Sequence, residues 1–119
     1  MQVRRTITLA AGLLAAMAGA AQGAELHQGR IQGGQVAEYT VQAKAGQQLD
    51  VALNASHRSA YFNVQAVGAS EAEFIGSLKG AHYASAVTAD TSYRITVYLM
   101  RSAARRNAAV DYQLKVDLK

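Results

Sequence analysis

The strongest constraint on this chain is a two-residue rhythm that dominates past residue 25. "QQLDVALNA" sets Leu49, Val51 and Leu53 against Asp50 and Ala52, and "AYFNVQAV" sets Phe62, Val64 and Ala66 against Asn63 and Gln65. The clearest pair comes last. "SYRITVYLM" aligns Tyr93, Ile95, Val97 and Leu99, and "VDYQLKVDL" aligns Val110, Tyr112, Leu114, Val116 and Leu118. Successive side chains of an extended strand point to opposite faces, so such runs predict strands with one buried face. "VAEYTVQA" keeps one face through Tyr39, Val41 and Ala43 after an irregularity at Val36, while "AEFIGSLKG" and "HYASAVTA" predict shorter strands. No window of this part has the apolar spacing of a full helix. Turn-forming clusters such as "KAGQQ", "NASHRS", "VGASE", "LKGAH" and "ADTS" separate the runs. Strands recurring every roughly 10–15 residues with such turns predict an antiparallel sandwich or a small barrel. Outward charges such as Lys115 and Asp117 suit an edge strand, whose unpaired backbone must be kept from other chains.

The rhythm is absent from the first residues, which have a different logic. "MQVRRTITLAAGLLAAMAGAAQGA" places Arg4 and Arg5 before an apolar run from Leu9 to about Ala21, then small residues to Ala24. That order is a secretory signal peptide, with cleavage expected after Ala24. The run falls well short of the roughly 20 residues of a membrane span, so no integral membrane segment is expected. Residues 1–24 are then signal peptide and residues 25–119 the folded domain, 119 − 24 = 95 residues. Without Arg4 and Arg5 the domain has 12 − 2 = 10 basic and 8 acidic residues, a net charge of +2. Such a balance argues against a nucleic-acid partner, which calls for a stronger basic face. Cysteine is absent, which removes thiol catalysis, thiolate metal sites and disulfides together; a domain of this size must then be held by its core.

Residues able to carry chemistry are scattered. His27, His57 and His82 stand far apart with no paired spacing, so no metal or other cofactor is expected. Glu71 and Glu73 are the one close acidic pair and read as solvated; no nucleophile motif is present, and no enzyme is expected. "ADTS" is a turn in which Asp90 bonds nearby backbone.

One segment departs from the rhythm. "YLMRSAARRNAAVDY" carries Arg101, Arg105 and Arg106 among small residues, between two strands. A ten-residue connection is long for a hairpin. Ala103, Ala104 and the arginines favour a helical turn, which sets Arg101 and Arg105 on one side, about 5–6 Å apart at Cβ. Arg106 points elsewhere, and Asn107 is suited to end the turn in a left-handed conformation. Taken alone, this is either a solvated basic loop, one that grazes anionic lipid, or a projection into an acidic partner.

Three stretches resemble the periplasmic inhibitors of goose-type (g-type) lysozyme of Gram-negative bacteria. "YTVQAKAGQQLDV" is similar through Tyr39, Thr40, Ala43, Lys44, Gly46 and Gln47. "YRITVYLMRSAARRN" is similar through Arg101, Ala104, Arg105 and Asn107, and "DYQLKVDLK" through Tyr112, Leu114 and Val116. The resemblance implies an all-β fold, a small antiparallel β-sandwich of about seven to eight strands. It implies a periplasmic protein that binds g-type lysozyme and plugs its acidic cleft with a loop carrying Arg101, Ala104, Arg105, Arg106 and Asn107. A family tyrosine from an early loop has no counterpart here, since "IQGGQVAE" holds no aromatic; Tyr39 is the nearest candidate for a secondary contact. The competing expectation is a structural or carbohydrate-binding module of the cell envelope, with Tyr61, Tyr83 and Tyr98 as sugar-stacking candidates or as ordinary strand packing. A homodimer through an edge strand is a further partner expectation.

Overall fold

The computed structural model describes residues 23–119, so the expected signal segment lies outside the described residues except for its last two. Eight strands and two single helical turns follow one another: β1 (Gly23–Gln32), β2 (Ala37–Ala43), β3 (Gln48–Ala55), β4 (Ala60–Ala66), β5 (Phe74–Ile75), α1 (Gly76–Lys79), β6 (His82–Ala86), β7 (Thr91–Leu99), α2 (Arg101–Arg105) and β8 (Ala109–Leu118). They form two four-stranded antiparallel sheets, ordered β1-β8-β3-β6 and β2-β7-β4-β5, packed face to face as a β-sandwich.

The inward positions are those the alternation marks. Leu49, Val51, Phe62, Val64, Ile95, Val97, Val110 and Leu114 are buried between the sheets, with Tyr39, Tyr83, Tyr93 and Tyr112 closing the core around them. No polar or charged residue is buried outright among the described residues. Burial of about 1.5–3 kcal/mol per large side chain is what holds a domain without disulfides together.

Two expectations change here. Lys115 and Asp117 do not guard an edge: β8 lies between β1 and β3, pairing Lys115 with Leu26 on one side and Ala52 on the other. The edges are β1 and β6 in one sheet and β2 and β5 in the other. The strand expected in "AEFIGSLKG" stops after Ile75, where the chain winds into α1 from Gly76, a glycine set so close to β4 that a Cβ would come within 2.4 Å of the Phe62 carbonyl oxygen.

Strand β1 carries almost no alternation. Its inward positions hold His27, Gly29 and Ile31, of which Ile31 alone is fully buried. Gly29 is required by its neighbour, since a Cβ there would stand 2.6 Å from the Tyr112 hydroxyl. His27 instead stacks on Tyr39, ring centres 4.6 Å apart. Pairing with β8 along its whole length holds the strand in place of apolar content.

Candidate functional site

The arginine segment folds as expected locally. α2 is a single turn whose Ala103 is fully buried against the end of the core, with Ala104 partly buried beside it. Small side chains allow this close seat and leave Arg101, Ser102, Arg105 and Arg106 exposed. Asn107 ends the turn at φ 58°, in the left-handed region that asparagine tolerates better than most residues. Its N–H reaches the Ala104 carbonyl at 2.9 Å and the next N–H, of Ala108, reaches Ala103 at 3.1 Å, the Schellman pattern of a helix C-terminus.

Two other loops hold this turn from either side. Gly33, in the turn between β1 and β2, donates its N–H to the Ala108 carbonyl at 2.8 Å, and Gln32 Nε2 reaches the Asn107 carbonyl at 3.3 Å. Gly33 has φ +61°, and a Cβ on it would lie 2.6 Å from Asn107 Oδ1, so glycine permits the approach. On the opposite side, between β3 and β4, Ser59 accepts the Met100 N–H at 2.9 Å. Ser56 accepts the Asp111 N–H on its hydroxyl at 3.1 Å and donates its own N–H to Asp111 at 2.9 Å. His57 Nδ1 accepts the Ser59 N–H at 3.0 Å, which fixes the bend carrying Arg58.

The charge at this end is one-sided. The three loops spanning 33–36, 56–59 and 100–108 hold Arg58, Arg101, Arg105 and Arg106 and no carboxylate. Asp111, the nearest acid along β8, is taken by Arg30 at 3.0 Å. Arg106 folds back, its guanidinium donating to the Ser102 carbonyl at 3.4 Å. Among the described residues no ion pair involves Arg58, Arg101 or Arg105. A shallow open hollow of about 580 Å³ lies beside this end, lined by Gln28, Asn54, Ser56, Asp111 and Gln113 among others.

Tyr39 lies elsewhere. It is buried, and its hydroxyl meets that of Tyr112 at 2.7 Å between the two sheets; burial and this bond push its pKa well above the ordinary tyrosine value. Its surface is spent inside the protein. Tyr83 is likewise buried, its hydroxyl donating to Glu73 at 2.8 Å, whereas Tyr61 and Tyr98 remain half-exposed on the outer face of their sheet. Glu73 is thus tied to Tyr83. The histidines stay apart, and no group of three metal-ligating residues occurs among the described residues. No helix of the described residues is long and apolar enough to cross a membrane.

Sequence reasoning located α2 and its terminal Asn107. It missed the bracing loops, because the bonds that tie them to α2 end on main-chain groups and join segments far apart in sequence; the "GG" at Gly33 was the only hint.

A solved structure of an Aeromonas hydrophila PliG, a periplasmic inhibitor of g-type lysozyme, superposes with a TM-score of 0.75 and 31% identity, covering 87% of this chain and 92% of that one. The chain belongs to the PliG family. The PliG of Salmonella Typhimurium is similar at 26% identity and a TM-score of 0.61, covering 82% of this chain and 89% of that one. The pre-peptidase C-terminal domain of a Bacillus anthracis collagenase shares the fold alone, at 15% identity and a TM-score of 0.56, with 82% and 90% covered. No family model and no curated protein sequence matches. Both PliG structures are of periplasmic inhibitors of g-type lysozyme.

Proposed function

We propose that this protein inhibits g-type lysozyme in the periplasm, with α2 entering the substrate cleft and Arg101 and Arg105 pairing with carboxylates there. The observation that carries the reading is the pairing of PliG membership with two arginines that have no ion-pair partner among the described residues, on one face of a braced turn. A glycosidase cleft holds carboxylates roughly 5–9.5 Å apart. Two guanidinium groups mounted an i, i+4 step apart span that range, and each makes a bidentate pair that lysine cannot copy. Arg106 and Asn107 act in support, the one packed along the turn and the other ending it. Ala104, partly buried beside the fully buried Ala103, helps to seat the turn on the core. Export through residues 1–24, removed after Ala24, brings the domain to the compartment where its target attacks the peptidoglycan. The cut leaves Glu25–Gln32 of β1 still paired with β8.

The test is a titration of residues 25–119 into cell-wall lysis assays with g-type and c-type lysozyme, beside an Arg101→Ala, Arg105→Ala double variant. Truncating one partner of a buried charge pair costs about 2–5 kcal/mol, so the double variant should lose inhibition by at least about a thousandfold. Full inhibition by the double variant refutes the arginine mechanism. No effect of the unaltered domain on any g-type lysozyme refutes the function.

A further inference from the structure

An aromatic band lies on the outer face of the β2-β7-β4-β5 sheet, directly below α2. Tyr61 in β4 stands opposite Tyr98 in β7, and since their neighbours Phe62 and Val97 point into the core, both tyrosines point out. Ala37, the first residue of β2, pairs with Val97, so the same register carried one residue beyond the strand would set Val36 beside Tyr98 as the third member of a row. Val36 is 45% exposed and the two rings lie 6.2 Å apart. Tyr98 is pinned in place: its hydroxyl donates to Asn63 Oδ1 at 3.0 Å, and the same oxygen accepts the Gly76 N–H at 3.2 Å. The next row down is polar at Glu38, Thr96 and Asn63 and ends on the exposed Ile75 at the β5 edge.

This band is continuous with the arginine end. Leu99 and Met100 are all that separate Tyr98 from Arg101, Ser59 and Ala60 all that separate Tyr61 from Arg58, and Met100 is 39% exposed between them. We propose that Tyr61, Tyr98 and Val36 form a second contact surface that docks on the apolar wall flanking the lysozyme's acidic cleft. The proposal rests on the inhibitor reading above and names what that reading leaves open. A stable complex buries about 800 Å² on each partner, more than a five-residue turn presents. Tyrosines are enriched among the residues that dominate such interfaces, and a ring fixed before binding loses little entropy on docking. Cations with apolar neighbours fit a protein cleft whose acids are walled by apolar side chains.

Isothermal titration of g-type lysozyme with Tyr61→Ser and Val36→Asp variants of the intact domain tests this, with melting temperatures recorded for each. Tyr61 has no internal hydrogen bond to lose among the described residues, and Val36→Asp, on an exposed site, decides the matter should Tyr61→Ser fail to fold. Each variant should bind about ten- to hundredfold more weakly at an unchanged melting temperature. If both bind like the unaltered domain while the double arginine variant does not, the band proposal fails and the inhibitor reading stands. If the unaltered domain binds no g-type lysozyme, the inhibitor reading fails and takes the band with it. If Tyr61→Ser keeps its lysozyme affinity but loses retention on insoluble peptidoglycan, the band is a glycan platform and the proposal is overturned.

Discussion

The hydroxyls of Tyr39 and Tyr112 meet at 2.7 Å in the core, each the other's only side-chain partner among the described residues, and neither is left unsatisfied. The pair joins β2 to β8, the two strands that leave the loops around α2. Changing either tyrosine to phenylalanine deletes the bond and strands the surviving hydroxyl in an apolar site. A buried polar group without a partner costs about 1–3 kcal/mol, so each single variant should lose about 2 kcal/mol. In a domain of this size that lowers the melting temperature by about 8–16 °C. The double variant removes both polar atoms and keeps both rings, and should lose only about 1 kcal/mol. The cycle then closes with a coupling of about 3 kcal/mol in favour of the pair being intact or absent together. Urea denaturation of the four proteins at neutral pH, with unchanged m-values, measures it. Additive losses, or single variants as stable as the unaltered domain, would show that water already reaches these hydroxyls.

Two further outcomes follow from the same geometry. Asn107→Gly should leave stability and inhibition intact, while Asn107→Val, forced to the left-handed φ of 58°, should cost about 1–2 kcal/mol in a thermal melt and weaken inhibition with it; equal behaviour of the two would remove the conformational role given to this residue. Burial raises the pKa of Tyr39, Tyr83 and Tyr112, that of Tyr83 to about 12 with help from its bond to Glu73. Between about pH 10 and 12 the unfolded chain sheds these protons and the folded one keeps them. Stability should therefore be whole below about pH 10 and fall as pH rises toward 12, and a melting temperature constant across that window would contradict the burial.

Legibility differed by element, for physical reasons. β7 and β8 were readable because each buries one full face, so every second residue had to be apolar. β1 was not, since its inward places hold a ring-stacked histidine and a glycine that makes room for Tyr112. The pairing order was also hidden. Except at β4 and β5, the chain changes sheets at every connection, so sequence neighbours are not sheet neighbours. This is why Lys115 and Asp117 looked like edge residues while sitting on a central strand, shielded by a β1 that no alternation announced. At the site, alanine and asparagine betrayed the turn, because helix propensity and left-handed tolerance belong to residue types. The aromatic band needed the register to bring Tyr61 and Tyr98 together from segments far apart in the chain.

The tethers on α2 run through main chain at both of its ends, from Met100 to Ser59 and from Gly33 to Ala108. Nothing in that scaffolding depends on which side chains stand at 101, 102, 105 and 106. The side chains at those four positions can be exchanged with both tethers left in place, so the surface this end presents is free to vary while its attachment to the sandwich is not.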